Sequence, residues 1–281
     1  MQPPDPLTRL VRGLDLEEIR ADVFRARTGA GAERLFGGLL LAQSVVAAGK
    51  TVHGRHLHSL HASFLRPGRS RIPLELAVER LRDGRSFVTR RVTGAQSHEA
   101  TIVATASFTS PSRGVSHQDP MPDAPDPEGL PDYEDLRAAT LGAPRRSDVA
   151  VELRVCDADP TGHGEALPAY RRVWIRPRGQ LPADPLLHAA MLVFSTDRTL
   201  LRVAARPHGP VWSMRDAASL DHAVWIHDAR AFDDWVLYVC ESPVAVGERW
   251  RSARCTAATA AASSPWRRRG CSGSEVALIE K

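Results

Sequence analysis

The segment 35–52, LFGGLLLAQSVVAAGKTV, constrains this chain more than any other stretch. Its apolar residues fall on nearly every side of a helix rather than on one stripe, and such a helix has to be enclosed by other structure. A second segment of the same kind, PLLHAAMLVFSTD, begins at Pro185. Asp184 stands at its N-cap position and Pro185 in its first turn, where a missing N–H costs nothing. Two buried helices in one chain call for two enclosing sheets.

The residues that follow each helix supply strand patterns. In the first half these are 58–65, 72–80, 86–95 and 100–108, with Asp83-Gly84 as a hairpin signal between the second and third. Ahead of the first buried helix, residues 14–25 predict a short amphipathic helix. In the second half, 150–155 and 171–176 precede the helix, and 219–226 and 235–241 follow it. One central helix with an antiparallel sheet, occurring twice, is the hotdog pattern, so the expected class is α+β, a double hotdog. Proline and acid crowd 111–131 (PSRGVSHQDPMPDAPDPEGLP), which predicts a linker that packs no core. The expected domains are therefore 1–110 and 149–281, joined by a linker at 111–148.

Composition narrows the function classes. With 43% apolar and 25% charged residues the 281-residue chain can bury a core of ordinary globular kind. No apolar run reaches the roughly 20 residues that span a bilayer, and MQPPDPLTRL has no signal-peptide core. Cys156, Cys240, Cys255 and Cys271 show neither CxxC nor metal-ligand spacing, so no metal and no cofactor is expected, and a reducing cytoplasm is the default. The net charge of +4 and pI near 9.2 raise nucleic acid as a partner, but the arginines are scattered and no recognition motif accompanies them.

The strings FGGLLLAQSVVAAGKTV, LHSLHASFLRPG, ELAVERLRDGRSFVTRRVTGAQ, TASF, RPHG, SLDHAVWIH and DDWVLYVCESP lie in both halves, between about 35 and 247. In kind and order they resemble the acyl-CoA thioesterase II family. The resemblance implies a double-hotdog fold, acyl-CoA as substrate, hydrolysis to free acid and CoA, and a homo-oligomer. It also implies a water held by three groups: an Asp ending the second central helix, here Asp197; a hydroxyl two residues before an Asp-His pair, here Ser219; and the Gln of a C-terminal Gln-Glu-Gly motif, which this chain lacks. The residue types suit the chemistry. Asp197 can accept a proton from water, burial at the end of an apolar helix can raise its pKa, and Ser219 can hold the water in place. Gly37 and Gly38 are candidate substrate-binding positions, their backbone N–H groups free of a Cβ shield. Asp221-His222 reads as structural rather than as a catalytic dyad, because adjacent strand residues point to opposite faces. The chain departs from the family at Leu39, where a Gln is expected.

From about residue 249 the chain changes character. RWRSARCTAATAAASSPWRRRGCSGSEV has no strand alternation, and Arg267, Arg268 and Arg269 carry much of the net charge. Its Ala, Ser and Arg content is that of GC-rich DNA read out of frame. Reverse translation of AATAAASSPWRRRGCS with G/C-preferred codons, regrouped by one base, yields RDGRGLVAVAQEGLLR, which alternates like a strand and contains Gln-Glu-Gly. A frameshift is thus expected to have replaced the last strands and removed the amide. The alternative to an active hydrolase is an impaired homologue that binds acyl-CoA without efficient turnover.

Overall fold

The computed structural model describes residues 4–29, 34–111, 115, 117, 120–157, 166–209, 217–228, 231–246, 249–259 and 271–280, the last two by backbone course and pairing. In the first half the elements are α1 (Pro6–Leu14), β1 (Glu17–Arg20), β2 (Val23–Ala26), α2 (Gly37–Lys50), β3 (His56–Phe64), β4 (Leu74–Asp83), β5 (Phe87–Gln96) and β6 (Glu99–Thr109). The second half continues with α3 (Tyr133–Leu141), β7 (Val151–Val155), β8 (Tyr170–Pro177), α4 (Pro185–Thr196), α5 (Leu200–Ala205), β9 (Ala217–Ser219), β10 (Asp221–Ile226), β11 (Val236–Val246), β12 (Arg249–Thr259) and β13 (Cys271–Glu280).

Each half wraps an antiparallel sheet around its central helix, as the twofold pattern predicts. The two sheets are continuous, in the order β1-β2-β4-β5-β6-β3-β10-β13-β12-β11-β8-β7, with β9 on β13. The seam is the antiparallel pair β3–β10, where His61 stands opposite Ala223 and Ser63 opposite Asp221. Beneath it, α2 and α4 lie against each other in opposite directions. A Cβ on Gly38 would come within 2.5 Å of the Phe194 carbonyl oxygen, and one on Gly49 within 2.3 Å of Leu186. The glycines thus set the helix separation at both ends. Leu41, Val45 and Ala48 of α2 and Ala190, Met191 and Val193 of α4 are fully enclosed, which accounts for their all-round apolar sequence.

Three expectations are corrected. The helix expected at 14–25 is instead the end of α1 followed by the β1–β2 hairpin. Asp5 starts the helix earlier, its carboxylate accepting from the Thr8 N–H at 3.0 Å. Asp22 then turns the chain at φ 58°, held by two bonds of 2.8 Å from Arg80, and β2 pairs with β4. The proline-rich stretch expected to pack nothing is packed over its later part. Trp174 donates to Pro125 O and Trp235 to Glu128, both at 2.9 Å, and Met121, Ala124 and Leu130 lie on the cluster of Trp174, Trp235 and Leu237. Rigid prolines lose little entropy on docking, so the two tryptophans they help to bury suffice to hold them. Finally, the closing strands expected to be lost are present as β12, on β11, and β13, between β12 and β10. Ladder pairing is a main-chain property, and it needs no side-chain alternation to satisfy the edges of β10 and β11. The segment 260–270, with Arg267, Arg268 and Arg269 and most of the stretch whose shifted frame contains Gln-Glu-Gly, lies outside the described residues.

Candidate functional site

The antiparallel helices bring the N-terminus of α2 to the C-terminus of α4. Asp197 caps α4, with its side chain 7% exposed. Its Oδ2 accepts the Gly38 backbone N–H at 2.8 Å, and its Oδ1 accepts the Ser219 hydroxyl at 3.3 Å. Burial pushes the carboxyl up to about 7, against the opposing pull of those two donors and of Arg198. The sequence thus names Asp197 and Ser219 separately, and the fold makes them hydrogen-bonded neighbours.

Gly37 and Gly38 lie here too, in different roles. A Cβ on Gly37 would stand 2.7 Å from Asp197 Oδ2, so glycine is what admits the carboxylate to the helix end. The Gly38 N–H points at that carboxylate rather than into open space. The positive end of the helix favours the carboxylate it meets. Leu39, which replaces the expected Gln, packs against the core.

On sequence His222 reads as structural; the structure puts it against the site. Its side chain is fully buried on the inner face of β10, with Nδ1 3.8 Å from Asp197 Oδ1 and Nε2 2.9 Å from the Thr196 hydroxyl. That hydroxyl donates to Val193 O at 2.8 Å, so it accepts from His222, and the proton is assigned to Nε2. Among the described residues, Nδ1 has no hydrogen-bond partner. Burial holds the ring neutral, its pKa lowered to about 3, so the contact with Asp197 is not an ion pair. The sequence signal was the Asp-His alternation itself, which sends His222 inward. From β11, the Tyr238 hydroxyl donates to Thr196 O at 2.7 Å and fixes the helix end that carries the aspartate.

Asp197 and Ser219 open onto a cleft of about 400 Å³. Its walls are apolar, from Leu35, Phe36, Leu40, Phe64, Leu201 and Leu220, and Arg34 and Arg66 stand at its edge. A half-ionised carboxylate, a neighbouring hydroxyl and an apolar wall can hold a water against a long apolar substrate and accept its proton.

The family model described as acyl-CoA thioesterase N-terminal domain matches residues 24–109, and the one described as acyl-CoA thioesterase matches 146–252. The chain belongs to the acyl-CoA thioesterase II family. Within that family it is 35% identical over 255 residues to acyl-coenzyme A thioesterase 8 of Mus musculus, covering 84% of this chain and 79% of that one. It is 33% identical over 256 residues to acyl-CoA thioesterase 2 of Haemophilus influenzae, covering 87% and 90%. The crystal structure of an acyl-CoA thioesterase II from Mycobacterium marinum superposes with a TM-score of 0.79 at 33% identity, over 97% of this chain and 98% of that one. Among the described residues, no helix of this thioesterase-family chain is long and apolar enough to cross a membrane.

Proposed function

We propose that the chain hydrolyses acyl-CoA thioesters with a water positioned by Asp197 and Ser219. The observation that carries this reading is the buried carboxylate, its pKa near 7, hydrogen-bonded to a hydroxyl at the end of an apolar cleft. The acyl chain lies along the apolar wall. Asp197 takes the proton as the water attacks the thioester carbonyl, and Ser219 orients the water. The carbonyl carbon gains the oxygen, the C–S bond breaks, and the thiol of CoA leaves with the proton. Gly38 fixes the carboxylate, and Gly37 lines the cleft where the substrate enters. Thiol release from acyl-CoA, lost in Asp197→Asn with binding retained by calorimetry, tests this. Equal turnover by the variant would overturn it.

The third group is a separate matter. We infer that the sequence from about residue 249 derives from a shifted reading frame, which removes the family's amide. The match to the family model ending at residue 252, close to the change in composition, supports this. Resequencing the gene and mass spectrometry of the C-terminal peptide test it: a confirmed PWRRRGCSG peptide from an unbroken natural frame would refute it. The same reading takes the protein to be cytoplasmic and a homo-oligomer, with hotdog domains at 1–110 and 149–281 around the 111–148 connection.

A further inference from the structure

The proposed reaction leaves His222 unused, although its ring is wholly buried and one of its nitrogens faces the reacting carboxylate. We propose that His222 is a positioning residue for that reaction: its Nδ1 lone pair accepts the Oδ1–H of Asp197 once the carboxylate has taken the proton of water. This role rests on the reading of Asp197 as the base.

The tautomer follows from the helix end. The Thr196 hydroxyl has one proton and gives it to Val193 O at 2.8 Å, so toward His222 Nε2, 2.9 Å away, it can only accept. Nε2 therefore carries the proton of the ring, and Nδ1 is a bare acceptor. Tyr238 holds this turn of α4 in place by donating to Thr196 O at 2.7 Å. Nδ1 stands 3.8 Å from Asp197 Oδ1, beyond hydrogen-bond length, with no other partner among the described residues. While Asp197 is ionised both atoms present only lone pairs, and nothing draws them together. A buried acceptor left empty is a cost to the fold. A proton arriving on Oδ1 removes it, since closing by about 1 Å reaches ordinary hydrogen-bond length.

The ring can accept that hydrogen bond without taking the proton. Burial keeps it neutral, its pKa lowered to about 3, well below the carboxyl at about 7. The proton thus stays on Asp197 while the water oxygen bonds to the thioester carbon, and it goes to the CoA sulfur as the C–S bond breaks. The Gly38 N–H and the Ser219 hydroxyl favour the ionised carboxylate, whereas the His222 lone pair favours the protonated one. Two donors prepare the base, and the ring prepares the acid it becomes. Among the described residues, the charge beside this pair is Arg198, itself 3.8 Å from Glu134 of α3. Around them β3 brings Ala62, β9 Ser219, β11 Tyr238 and α2 the Gly38 N–H.

The pH dependence of kcat/KM for acyl-CoA hydrolysis by the full chain, by His222→Phe and by Thr196→Val tests this. Phenylalanine keeps a ring and removes the acceptor. Valine keeps the shape of the threonine and removes the group that fixes the tautomer, which frees the ring's proton to move to Nδ1 and donate to the carboxylate. In both variants the pKa governing kcat/KM should fall by roughly one unit, the equivalent of one hydrogen bond, with KM close to that of the natural chain. A ring that only fills space would lower kcat and leave the profile in place. Nitrogen-15 spectra of the natural chain give a readout that needs no variant to fold: His222 Nδ1 should be bare on both sides of pH 7 and move toward its hydrogen-bonded shift as pH falls through about 7. A proton on Nδ1, or a governing pKa equal or higher in the folded variants, overturns the role of His222 alone. No turnover by the natural chain, or a profile without a step near pH 7, overturns instead the reading of Asp197 as the base, and the role of His222 with it.

Discussion

The two central helices are alike in sequence and opposite in use. Both are apolar all round, both are wrapped by an antiparallel sheet, and each ends against the other. α2 contributes backbone: a glycine pair whose lack of Cβ admits a carboxylate and whose N–H binds it. α4 contributes the carboxylate itself, and its own sheet brings the hydroxyl of Ser219 and the ring of His222. The first hotdog therefore shapes the site, and the second supplies its titrating groups. Neither half holds a complete site, which gives a physical reason for the two to be one chain with one seam.

The sharpest way to break this division is to remove the charge and keep the shape. Asp197→Asn preserves an acceptor for the Gly38 N–H but cannot take a proton. Thiol release from acyl-CoA should fall by about 10³-fold, within the usual range for loss of a general base, while calorimetric affinity for a non-hydrolysable acyl-CoA analogue stays within a few-fold. The converse change alters only the shape. In Gly38→Ala the new methyl meets the Phe194 carbonyl at 2.5 Å, a backbone atom with nowhere to move. Thermal denaturation should show a loss of about 1–3 kcal/mol, the usual cost of overpacking, with reduced activity because the carboxylate loses its donor. Unchanged stability in this variant would mean that the helices are not held as closely as described.

Legibility in the sequence follows the same division. The enclosed helices were readable because an all-round apolar helix has few places to go, and the strands because Asp83-Gly84 and the alternation around it fix a hairpin. Asp197 and Ser219 were readable only through the family strings, since a helix-ending Asp and a strand-starting Ser are common. What brings them within 3.3 Å is the second sheet's wrapping of α4, which carries β9 on β13 to the helix's C-terminus and which no local pattern encodes. The β1–β2 hairpin was missed for a related reason: its turn depends on Arg80, 58 residues along the chain, holding Asp22 in a left-handed conformation. His222 was seen but undervalued, because its importance comes from Asp197, 25 positions away, and not from its neighbour Asp221.

Ser219 tests the second hotdog's share on a smaller scale. Ser219→Ala removes one donor from Asp197 Oδ1 and leaves the carboxylate and the Gly38 bond intact. Turnover should fall by about fivefold, less than for Asp197, since a single hydrogen bond contributes about 1 kcal/mol. The pKa governing turnover should rise, because a donor that lowers it is gone. Loss of activity as large as in Asp197→Asn would make the serine, not the aspartate, the principal group.

The smallest effects are in pH. The ionised carboxylate is the proton acceptor, so kcat/KM should climb as pH rises through about 7, stand near half its plateau there, and level off above. A profile flat from pH 6 to 8 would remove Asp197 from the role. Stability should respond differently, because two groups oppose each other. In the folded chain Asp197 keeps its proton between its ordinary 3.8 and about 7, where the unfolded chain has lost it. Its contribution is full below 3.8 and fades as pH rises. His222 stays neutral down to about 3, whereas the unfolded ring charges below 6.5. Its contribution is full above 6.5 and fades as pH falls. Between 3.8 and 6.5 the slopes have opposite sign, so the pair leaves the natural chain with almost no net pH dependence of stability from this site. Asp197→Asn deletes one slope and uncovers the other: its melting temperature should drop, relative to the natural chain, as pH is lowered from 6.5 to 4. A parallel pH dependence in the two proteins would mean that the aspartate and the histidine are not buried together at the seam between the halves.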